Sequence, residues 1–330
     1  MIIVTGGAGF IGSALVWGLN QKGRDDILIA DHLGQSTKWK NLNQLKFKDY
    51  LEKDQLINYL EKELPGPSID GILHMGACSS TTEGDVSYLI HNNTEFSKKL
   101  MRLALTHKKR FVYASSAATY GNGQQGFSDS CDPSTLIPLN PYGFSKQRFD
   151  LYLRAQGMNH NALGLKFFNV YGPNEYHKGE MRSVVIKTWE QIKQTGEMKL
   201  FRSYRPEYPD GGQQRDFVYI KDVVDLTLKL YFNTHANGLL NIGTGYASSF
   251  NDLSRAVFNS LELPPRIDFI DMPESIRHQY QYYTKADMKQ CFLTLKNEKP
   301  EIYPRYTLEK GIEDYVRNYL ETDNPYLGNS

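Results

Sequence analysis

The first half of the chain alternates short apolar runs with longer segments in which apolar residues recur at helical spacing. The short runs are rich in β-branched and aromatic residues and predict strands at 1–5, 26–31, 47–51, 71–77, 109–116 and 161–170. The longer segments predict amphipathic helices at 10–23, 54–64 and 87–107. This alternation is typical of an α/β fold, in which crossover helices cover the faces of a parallel sheet.

A glycine-rich turn, TGGAGFIG at Thr5–Gly12, joins the first predicted strand to the first helix. Gly6, Gly9 and Gly12 permit a tight turn, close approach of a pyrophosphate and close helix packing, and the helix N-terminus supplies free N–H donors. Taken alone, the turn could also be a plain strand–helix junction. With the order of the elements, it predicts a doubly wound parallel sheet of the Rossmann type that binds a dinucleotide.

Asp31 ends the second predicted strand, where an acidic side chain usually accepts a hydroxyl of the adenosine ribose. This residue alone favours NAD. Lys38 follows the second strand and Lys53 the third, and either could neutralise the 2′-phosphate of NADP, which Asp31 would otherwise repel. The spacing alone therefore leaves NAD and NADP open.

The pattern changes in the second half of the chain. Segments 171–181 and 202–215 are rich in Pro, Gly, Tyr and charge and predict substrate loops on a smaller lobe. Between them lies an amphipathic run at 183–195, and segments 215–232 and 238–245 return to the strand and helix pattern. The sequence thus predicts a dinucleotide-binding domain at 1–170, rejoined by about 216–246, and a C-terminal α/β substrate lobe at 171–215 and 247–330.

The 38 basic and 37 acidic residues nearly balance, and no basic block resembles a nucleic-acid-binding arm. No apolar stretch reaches the ~18 residues of a membrane span, and the chain enters the glycine turn without a basic leader. Cys78, Cys131 and Cys291 show neither CxxC spacing nor a Cys/His cluster, which argues against a disulfide framework and a metal site. We therefore expect a cytoplasmic protein whose partner is a small molecule, not nucleic acid or membrane.

Tyr142 and Lys146 form a YxxxK pair in a segment predicted to be helical at 141–156. Four residues apart, they lie on one helix face, so the ammonium is expected to lower the pKa of the phenol and make it a general base. Ser116 ends the fifth predicted strand at the ligand-binding edge of a parallel sheet and can hold a substrate oxygen. Ser115 competes for this role, but neighbouring strand residues face opposite ways, and we choose Ser116.

The glycine turn, the SSAATYG segment and the YxxxK pair, in this order, resemble the extended short-chain dehydrogenase/reductase superfamily. The resemblance implies that Ser116, Tyr142 and Lys146 are catalytic and that Lys146 also binds the nicotinamide ribose. Sugar nucleotide 4,6-dehydratases of this superfamily carry an Asp–Glu pair where this chain has Ala117 and Ala118. Because a methyl group moves no proton, removal and return of a hydride is favoured over dehydration.

More locally, the segments HMGACSSTTE, YASSAATYG, FFNVYGPNEYHKG and RDFVY closely resemble the ADP-L-glycero-D-manno-heptose 6-epimerase family. This resemblance implies an isomerase of lipopolysaccharide core biosynthesis that uses NADP to oxidise C6 of ADP-D-glycero-β-D-manno-heptose and returns the hydride to the opposite face. It also implies a homo-oligomer, a pentamer, and gives Lys178 the role of second base. On chemistry alone, the adjacent His177 is the rival base. The alternatives are a UDP-hexose 4-epimerase and a non-catalytic NADP sensor on the same fold.

The same resemblance implies a set of binding residues. For the cofactor these are the three turn glycines with Phe10, Ile11, Asp31, His32, Lys38, Lys53, Met75, Gly76, Ala77, Cys78, Ser79, Asn92, Lys146, Val170 and Lys178. For the substrate they are Ser116, Asn169, Glu180, Lys187, Phe201, Arg202, Ser203, Tyr204, Arg215 and Tyr280. Glu180 and Lys187 stand where the family has a serine and a histidine. The Arg215 fork suits a pyrophosphate oxygen, but it could instead pair with Asp216.

Overall fold

The computed structural model describes residues 1–157, 162–277, 280–295 and 303–328. Its strands are Ile2–Thr5 (β1), Ile27–Asp31 (β2), Asp49–Glu52 (β3), Gly71–His74 (β4), Arg110–Ser116 (β5), Ala162–Phe167 (β6), Asn169–Tyr171 (β7), Met198–Phe201 (β8), Gln214–Arg215 (β9), Phe217–Tyr219 (β10), Gly238–Ile242 (β11), Ser248–Ser249 (β12) and Ile267–Ile270 (β13). Its α-helices are Phe10–Gln21 (α1), Leu56–Glu63 (α2), Val86–Leu89 (α3), Phe96–Thr106 (α4), Pro141–Ala155 (α5), Val184–Thr195 (α6), Ile220–Phe232 (α7), Phe250–Ser260 (α8), Glu274–Arg277 (α9), Lys289–Thr294 (α10) and Leu308–Tyr315 (α11).

Strands β11, β6, β5, β4, β1, β2 and β3 pair in that order into one sheet, and every neighbouring pair is parallel. β1, β2 and β4 are buried along their whole length, which is why they read as unbroken apolar runs. The predicted doubly wound sheet of the Rossmann type is confirmed. All seven carboxyl ends lie along one edge, where ligands bind in sheets of this kind.

Side chains of the first strand alternate between two apolar cores, one on each face of the sheet. Ile2 packs in a core that contains Leu15 of α1 and Val224 of α7. Ile3 packs in a second core that contains Leu100 of α4 and residues of α2 and α5. Because the helices cover both faces, they hold the carboxyl edge of the sheet in a fixed position beneath the loops that follow the strands.

The apolar run 161–170 is more than one strand. Asn161 lies outside the described residues, and β6 ends one residue before Phe168. The chain then leaves the main sheet, because Asn169 N donates to the carbonyl of Asp216 at 3.1 Å and β7 pairs with β10 in a separate parallel ladder. The apolar pattern could not reveal this change of partner, which lifts the segment after Phe168 over the edge of the sheet.

The predicted helix 87–107 is also interrupted. A π-helical turn at Ile90–Glu95 separates α3 from α4. The Ser97 hydroxyl donates to the carbonyl of Asn93 at 2.5 Å, so a side chain enters the backbone ladder and disturbs it. The turn buries Asn93, whose side chain accepts a hydrogen bond from Cys78 N at 2.8 Å. Turns of this kind are frequent at functional sites.

In the second half, β9 pairs with β12 in antiparallel fashion and β8 pairs with β13 in parallel fashion. Strand β11, in contrast, is an edge strand of the main sheet. The division of the chain into a dinucleotide-binding domain and a substrate lobe stays a prediction. Within the described ranges, no helix combines the length and the apolar character needed to cross a lipid bilayer.

Candidate active site

A cavity of about 750 Å³ opens at the carboxyl edge of the main sheet. Its walls come from the glycine turn, the loops after β4 and β5, the start of α5 and the segment between β7 and α6. The predicted cofactor residues in its lining are Gly6, Gly9, Phe10, Ile11, Gly12, Asp31, Lys38, Met75, Gly76, Ala77, Cys78, Ser79, Lys146, Val170 and Lys178. Ser116 and Tyr142 line it as well, so the cofactor and catalytic predictions converge on one cavity.

The glycine turn packs closely against the start of α1 and the loop after β4. Gly6 has a φ of +62°, and a Cβ atom there would lie 2.6 Å from backbone atoms of Gly76. A Cβ atom on Gly12 would lie 2.1 Å from the carbonyl oxygen of Gly6. The first turn of α1 itself contains no acidic residue that would oppose an anion at the helix N-terminus. These features fit the pyrophosphate of a dinucleotide.

The Asp31 carboxylate at the end of β2 is held by three donors. It accepts hydrogen bonds from Ala8 N at 2.9 Å, His32 N at 2.7 Å and Lys38 Nζ at 2.7 Å. The carboxylate is thereby fixed to the glycine turn. The contact also brings a cation next to the acid that would accept a ribose hydroxyl.

Three predicted cofactor residues lie outside the lining of the cavity: His32, Lys53 and Asn92. Lys53 Nζ donates to Asn92 Oδ1 at 3.2 Å, just beyond the end of β3. The side chain of His32 is 64% exposed, and its Nδ1 lies 3.2 Å from Glu52 Oε2. These side chains lie near the ends of β2 and β3, the side of the sheet that Asp31 also occupies.

Local capping fixes the first turn of α5. The Asn140 side chain accepts a hydrogen bond from Gly143 N at 2.8 Å, and Pro141 occupies the first helical position, where its missing N–H costs nothing. Tyr142 and Lys146 follow on the face of the helix that meets the cavity. The Lys146 ammonium donates to the carbonyl of Ala114 at 2.9 Å, which ties α5 to β5.

The expectation that Lys146 lowers the pKa of Tyr142 is wrong for this structure. Burial raises the pKa of Tyr142, with smaller contributions in the same direction from Cys78 and Asp150, and the hydrogen bond with Ser116 lowers it only in part. The Lys146 ammonium lies 6.0 Å from the centre of the phenol ring, and burial lowers its own pKa to about 8. Burial, which the sequence pattern does not display, outweighs the helix spacing.

The two serines at the end of β5 have different partners. Ser115 also lines the cavity, but its Oγ donates to the buried Asp150 carboxylate at 2.8 Å and is therefore engaged by that residue. Ser116 forms the hydrogen bond with Tyr142 and also accepts one from Ala118 N at 3.1 Å. Ser116 is thus the serine beside the phenol, and it caps its own turn at the same time.

Lys178 and His177 lie in a 3₁₀ segment at Tyr176–Met181, and both line the cavity. Burial lowers the pKa of Lys178, whose ammonium lies 5.4 Å from the centre of the Phe10 ring. Burial, assisted by nearby lysine charges, lowers the pKa of His177 to about 4. The His177 ring contacts Asn41 Nδ2 at 3.3 Å, and Asn41 also donates to the glycine turn at Ala8 O. His177 therefore braces the turn.

The loop that carries Lys178 is anchored by a buried carboxylate. Glu175 is fully buried and accepts hydrogen bonds from Ser183 Oγ at 2.7 Å, from Ser183 N, and from Gly172 N at 3.3 Å. Burial raises the pKa of this carboxyl group, and these donors together with Lys178 act against that rise. The buried charge provides a fixed counterpart for the lysine.

The predicted substrate residues divide into two groups. Ser116, Asn169 and Glu180 line the cavity, and the remaining seven lie outside its lining: Lys187, Phe201, Arg202, Ser203, Tyr204, Arg215 and Tyr280. Lys187 Nζ donates to Glu180 O at 2.5 Å and to Glu180 Oε2 at 3.1 Å. Glu180 and Lys187, the two residues that differ from the family pattern, therefore contact each other at the rim of the cavity.

Arg215 anchors the outer group. Its buried guanidinium lies 5.4 Å from the centre of the Tyr280 ring and 5.7 Å from that of Phe250, which lines the cavity. The alternative partner Asp216 is engaged elsewhere, because it accepts hydrogen bonds from Thr244 Oγ1 at 2.7 Å and from three backbone N–H groups. The aromatic and guanidinium faces thus continue from the cavity toward β8 and β13.

The sequence did not single out several lining residues. They are Ser80, Thr81, Ala114, Phe167, Phe168, Tyr171, Met181, Arg182, Ser183, Val184, Val185, Phe217 and Phe250. Asn93 was not singled out from the sequence either. This side chain donates to Cys78 O and to Ser145 Oγ at 3.0 Å each, and so ties the loop after β4 to α5. A consecutive Asn92–Asn93 pair inside a predicted amphipathic helix was the available signal, since asparagine is a poor helix former.

Comparisons with known proteins agree with this geometry. Residues 2–243 match the NAD dependent epimerase/dehydratase family, which indicates a nicotinamide cofactor. The ADP-L-glycero-D-manno-heptose-6-epimerase of Nitratidesulfovibrio vulgaris is 49% identical, over 99% of this chain and 100% of that protein. The protein of the same name from Fusobacterium nucleatum is 44% identical, over 99% and 100%.

Among solved structures, the crystal structure of Helicobacter pylori ADP-L-glycero-D-manno-heptose-6-epimerase superposes with a TM-score of 0.78 at 27% identity. The match covers 96% of this chain and 95% of that one. The similarity thus extends over both halves of the chain in sequence and in structure. The chain belongs to the NAD dependent epimerase/dehydratase family, in which it groups with proteins named ADP-L-glycero-D-manno-heptose-6-epimerase.

Proposed function

We propose that this chain inverts C6 of ADP-D-glycero-β-D-manno-heptose to give ADP-L-glycero-β-D-manno-heptose, with NADP as its cofactor, in lipopolysaccharide core biosynthesis. The observation that carries the proposal is the presence of two ionisable groups from separate elements at one cavity, Tyr142 on α5 and Lys178 between β7 and α6. By resemblance, we also propose a homo-oligomer of five subunits.

Two such groups are what inversion through a ketone requires. The hydroxyl oxygen of the reacting carbon lies on different sides before and after the ketone turns over, and one side chain cannot lie against it in both positions. Burial favours the neutral form of both groups, since it raises the pKa of Tyr142 and lowers that of Lys178. A neutral amine can accept the hydroxyl proton when the alcohol is oxidised, and a neutral phenol can donate a proton when the ketone is reduced. Proton transfer from the resulting ammonium to the phenolate, through solvent, then restores both groups.

A nicotinamide held in this cavity would supply the hydride acceptor, and the positive charge of its oxidised ring would lower the pKa of the Tyr142 phenol. The protein supplies the remaining chemistry. Ser116 holds the substrate oxygen beside Tyr142, and Lys146 holds the nicotinamide ribose. Lys178 removes or returns the proton on the other side. His177, which braces the glycine turn, is a positioning residue rather than the second base, because burial lowers its pKa to about 4, which makes the ring a weak base, and because Asn41 contacts its Nδ1.

NADP is the proposed form of the cofactor because Lys38 lies beside Asp31. A 2′-phosphate near the Asp31 carboxylate would be repelled, and a cation 2.7 Å from that carboxylate offsets the repulsion. Lys53, which is hydrogen-bonded to Asn92, offers a second cation at the end of the neighbouring strand. For the substrate, Arg215 is proposed to contact the diphosphate, and Tyr280 a flat face of the nucleotide or sugar.

The proposal is tested by identifying the cofactor and the substrate independently. Mass spectrometry of the purified, denatured protein should detect NADP, and NMR should show turnover of ADP-D-glycero-β-D-manno-heptose. UDP-glucose and UDP-galactose serve as competing substrates, and Tyr142→Phe serves as a variant that should retain NADP binding and lose turnover. Conversion of the UDP-hexoses in place of the ADP-heptose would refute the assigned substrate. NADP binding with turnover of no nucleotide sugar would indicate a cofactor sensor.

A further inference from the structure

A buried ion pair lies directly behind the candidate catalytic residues. Asp150 follows Lys146 by four residues and Tyr142 by eight, so all three share the inward face of α5. Asp150 is 0% exposed and Lys166 of β6 is 1% exposed. Lys166 Nζ lies 2.6 Å from Asp150 Oδ2. The pair forms no part of the cavity lining, and the reaction proposed above does not use it.

The hydrogen bonds of this pair reach the strand that carries the active-site serine. Asp150 accepts from Tyr113 OH at 2.7 Å, from Ser115 Oγ at 2.8 Å and from Lys166. Lys166 also donates to Thr119 Oγ1 at 2.6 Å, and that hydroxyl donates to the carbonyl of Ser116 at 2.8 Å. This hydrogen-bond network therefore includes residues on both sides of Ser116: Tyr113 and Ser115 on β5, and Thr119 in the turn after it.

The charge of Asp150 acts on both Tyr142 and Lys146. The carboxylate favours the protonated form of each, so it raises the pKa of Tyr142 and of Lys146. The other groups facing Tyr142 are Ser116 and Cys78. Those facing Lys146 are Cys78 and the buried His74, whose pKa is lowered to about 3 by burial and by Lys146.

Lys166 is the cation that balances Asp150. The remaining groups near Lys166 are the Tyr120 ring, 5.1 Å away, and Asp129, whose carboxyl group senses the Lys166 charge. An ion pair with its charges 2.6 Å apart has a weak field at a distance, whereas a lone buried carboxylate has a strong one. Loss of the lysine should thus expose Tyr142 and Lys146 to the full field of Asp150.

We propose that Lys166 is a positioning residue for the reaction, which neutralises Asp150 behind α5 so that this carboxylate does not hold Tyr142 and Lys146 in their protonated forms, and which fixes the strand end that presents Ser116. This inference rests on the proposed function only in treating Tyr142 and Lys146 as the reacting side of α5. Lys166 itself touches neither substrate nor cofactor.

The test compares Lys166→Met, Asp150→Asn and the double variant Lys166→Met/Asp150→Asn. The double variant removes both buried charges and leaves an amide that can still accept from Tyr113 or Ser115. The primary readout is the titration of Lys146, followed by NMR in [13Cε]lysine-labelled protein, with Lys146→Arg to assign the signal. This readout requires no turnover, so it does not depend on the identity of the substrate.

Lys166→Met should raise the pKa of Lys146 by about one unit or more, and Asp150→Asn should lower it. In the double variant, the pKa should return to within about 0.3 units of the wild-type value, because neither charge remains. In the plot of kcat against pH, the acid limb should likewise shift to higher pH in Lys166→Met and to lower pH in Asp150→Asn. If Lys166→Met does not fold, Asp150→Asn should still lower the pKa of Lys146 and the double variant should still restore it. An unchanged Lys146 pKa in the folded single variants would overturn the inference.

If the Lys146 shifts occur but wild-type protein does not convert ADP-heptose, the inference stands and the proposed substrate fails. If the protein turns over ADP-heptose but the shifts are absent, the proposed function stands. In that case the pair is purely structural, and single and double variants should differ only in unfolding midpoint. The two results therefore separate the role of Lys166 from the identity of the reaction.

Discussion

Lys178 and His177 are adjacent, and both line the cavity, so only their surroundings distinguish them as proton-transfer groups. Lys178 lies beside Phe10 and has a buried carboxylate, Glu175, as its counterpart. The His177 ring contacts Asn41, which also holds the glycine turn. We therefore expect the lysine to take part in the chemistry and the histidine to hold the turn in place.

Lys178→Met should lower kcat at saturating NADP by about 10²–10⁴-fold, the range for loss of a general acid or base, and should also weaken NADP binding because Lys178 is a predicted cofactor residue. His177→Asn is the matched control, and it should lower kcat by less than about tenfold, because an amide can keep the contact with Asn41. Steady-state kinetics with ADP-heptose and cofactor titration by fluorescence measure both effects. Full activity in the lysine variant combined with an inactive histidine variant would reverse the two roles.

The choice of cofactor depends on Lys38. Lys38→Ala removes the cation 2.7 Å from Asp31, leaves that carboxylate uncompensated, and should weaken NADP binding by about tenfold or more. NAD lacks the 2′-phosphate, so its affinity should change by less than about threefold. Lys40→Ala, which removes an exposed lysine of the same segment, is the control and should affect neither cofactor. Equal losses for NADP and NAD in Lys38→Ala would argue against a phosphate contact.

At the scale of elements, the glycine turn determines whether α1 can point its N-terminus into the cavity. A methyl group at Gly12 would meet the carbonyl oxygen of Gly6 at 2.1 Å, so the turn and the helix would have to separate. Gly12→Ala should therefore weaken cofactor binding by more than about tenfold and lower the unfolding midpoint. Calorimetric titration and thermal unfolding measure these changes.

Gly84→Ala is the control for the turn. No atom lies within 4 Å of a Cβ atom built at Gly84, and its φ lies outside the left-handed region. The substitution should leave cofactor affinity and the unfolding midpoint nearly unchanged. If Gly12→Ala behaves like Gly84→Ala, close packing of the turn does not shape the cofactor site.

The elements themselves could be predicted from the sequence because the buried strands are short apolar runs and the helices have a clear period. The buried strands and amphipathic helices of the first half occur within a few residues of their predicted bounds, and Asn140–Pro141 marks the start of α5. The π-helical turn could not be predicted, since it depends on Ser97 bonding to Asn93 and on Asn93 bonding to Cys78. These contacts form only when α4 is packed against the loop after β4, which contains Cys78.

Site predictions failed where burial decides the outcome. The YxxxK spacing indicated correctly that Tyr142 and Lys146 share a face, but it could not show that burial raises the pKa of the phenol. In the same way, strand alternation distinguished Ser115 from Ser116. It could not show that Ser115 donates a hydrogen bond to the buried Asp150 carboxylate. The outer position of Arg215 and Tyr280 depends on contacts between segments 202–213 and 280–283, such as the hydrogen bond that Tyr204 N donates to the Tyr282 hydroxyl at 3.0 Å.

At the scale of the whole molecule, buried carboxyl groups make stability depend on pH. Burial raises the pKa of Asp129 to about 6, and its Oδ2 accepts from Asn241 N at 2.8 Å, which joins the loop before α5 to the edge strand β11. Between pH ~4 and ~6 the folded state holds this proton and the unfolded state releases it. The free energy of unfolding contributed by Asp129 therefore falls as the pH rises through that window and is constant above it.

Asp129→Asn should remove the free-energy cost of burying the ionised Asp129 carboxylate at neutral pH. An amide has no charge to desolvate, and its oxygen can still accept the hydrogen bond from Asn241 N. The gain in the free energy of unfolding at pH 7.5 should be about 1–3 kcal/mol and should shrink toward pH 4. Urea unfolding of wild type and variant at both pH values measures it. Asp268→Asn, at an exposed position, should show no such pH-dependent gain. A loss of stability at pH 7.5 in Asp129→Asn would contradict this account.

The central claim is that C6 is inverted by a hydride that stays on the cofactor between two proton transfers. The most direct test is the conversion of ADP-D-glycero-β-D-manno-heptose by the purified protein in deuterated water, with the product analysed by NMR and mass spectrometry. The product should be ADP-L-glycero-β-D-manno-heptose with no deuterium at C6. Deuterium at C6 of the product, or no product at all, would contradict it.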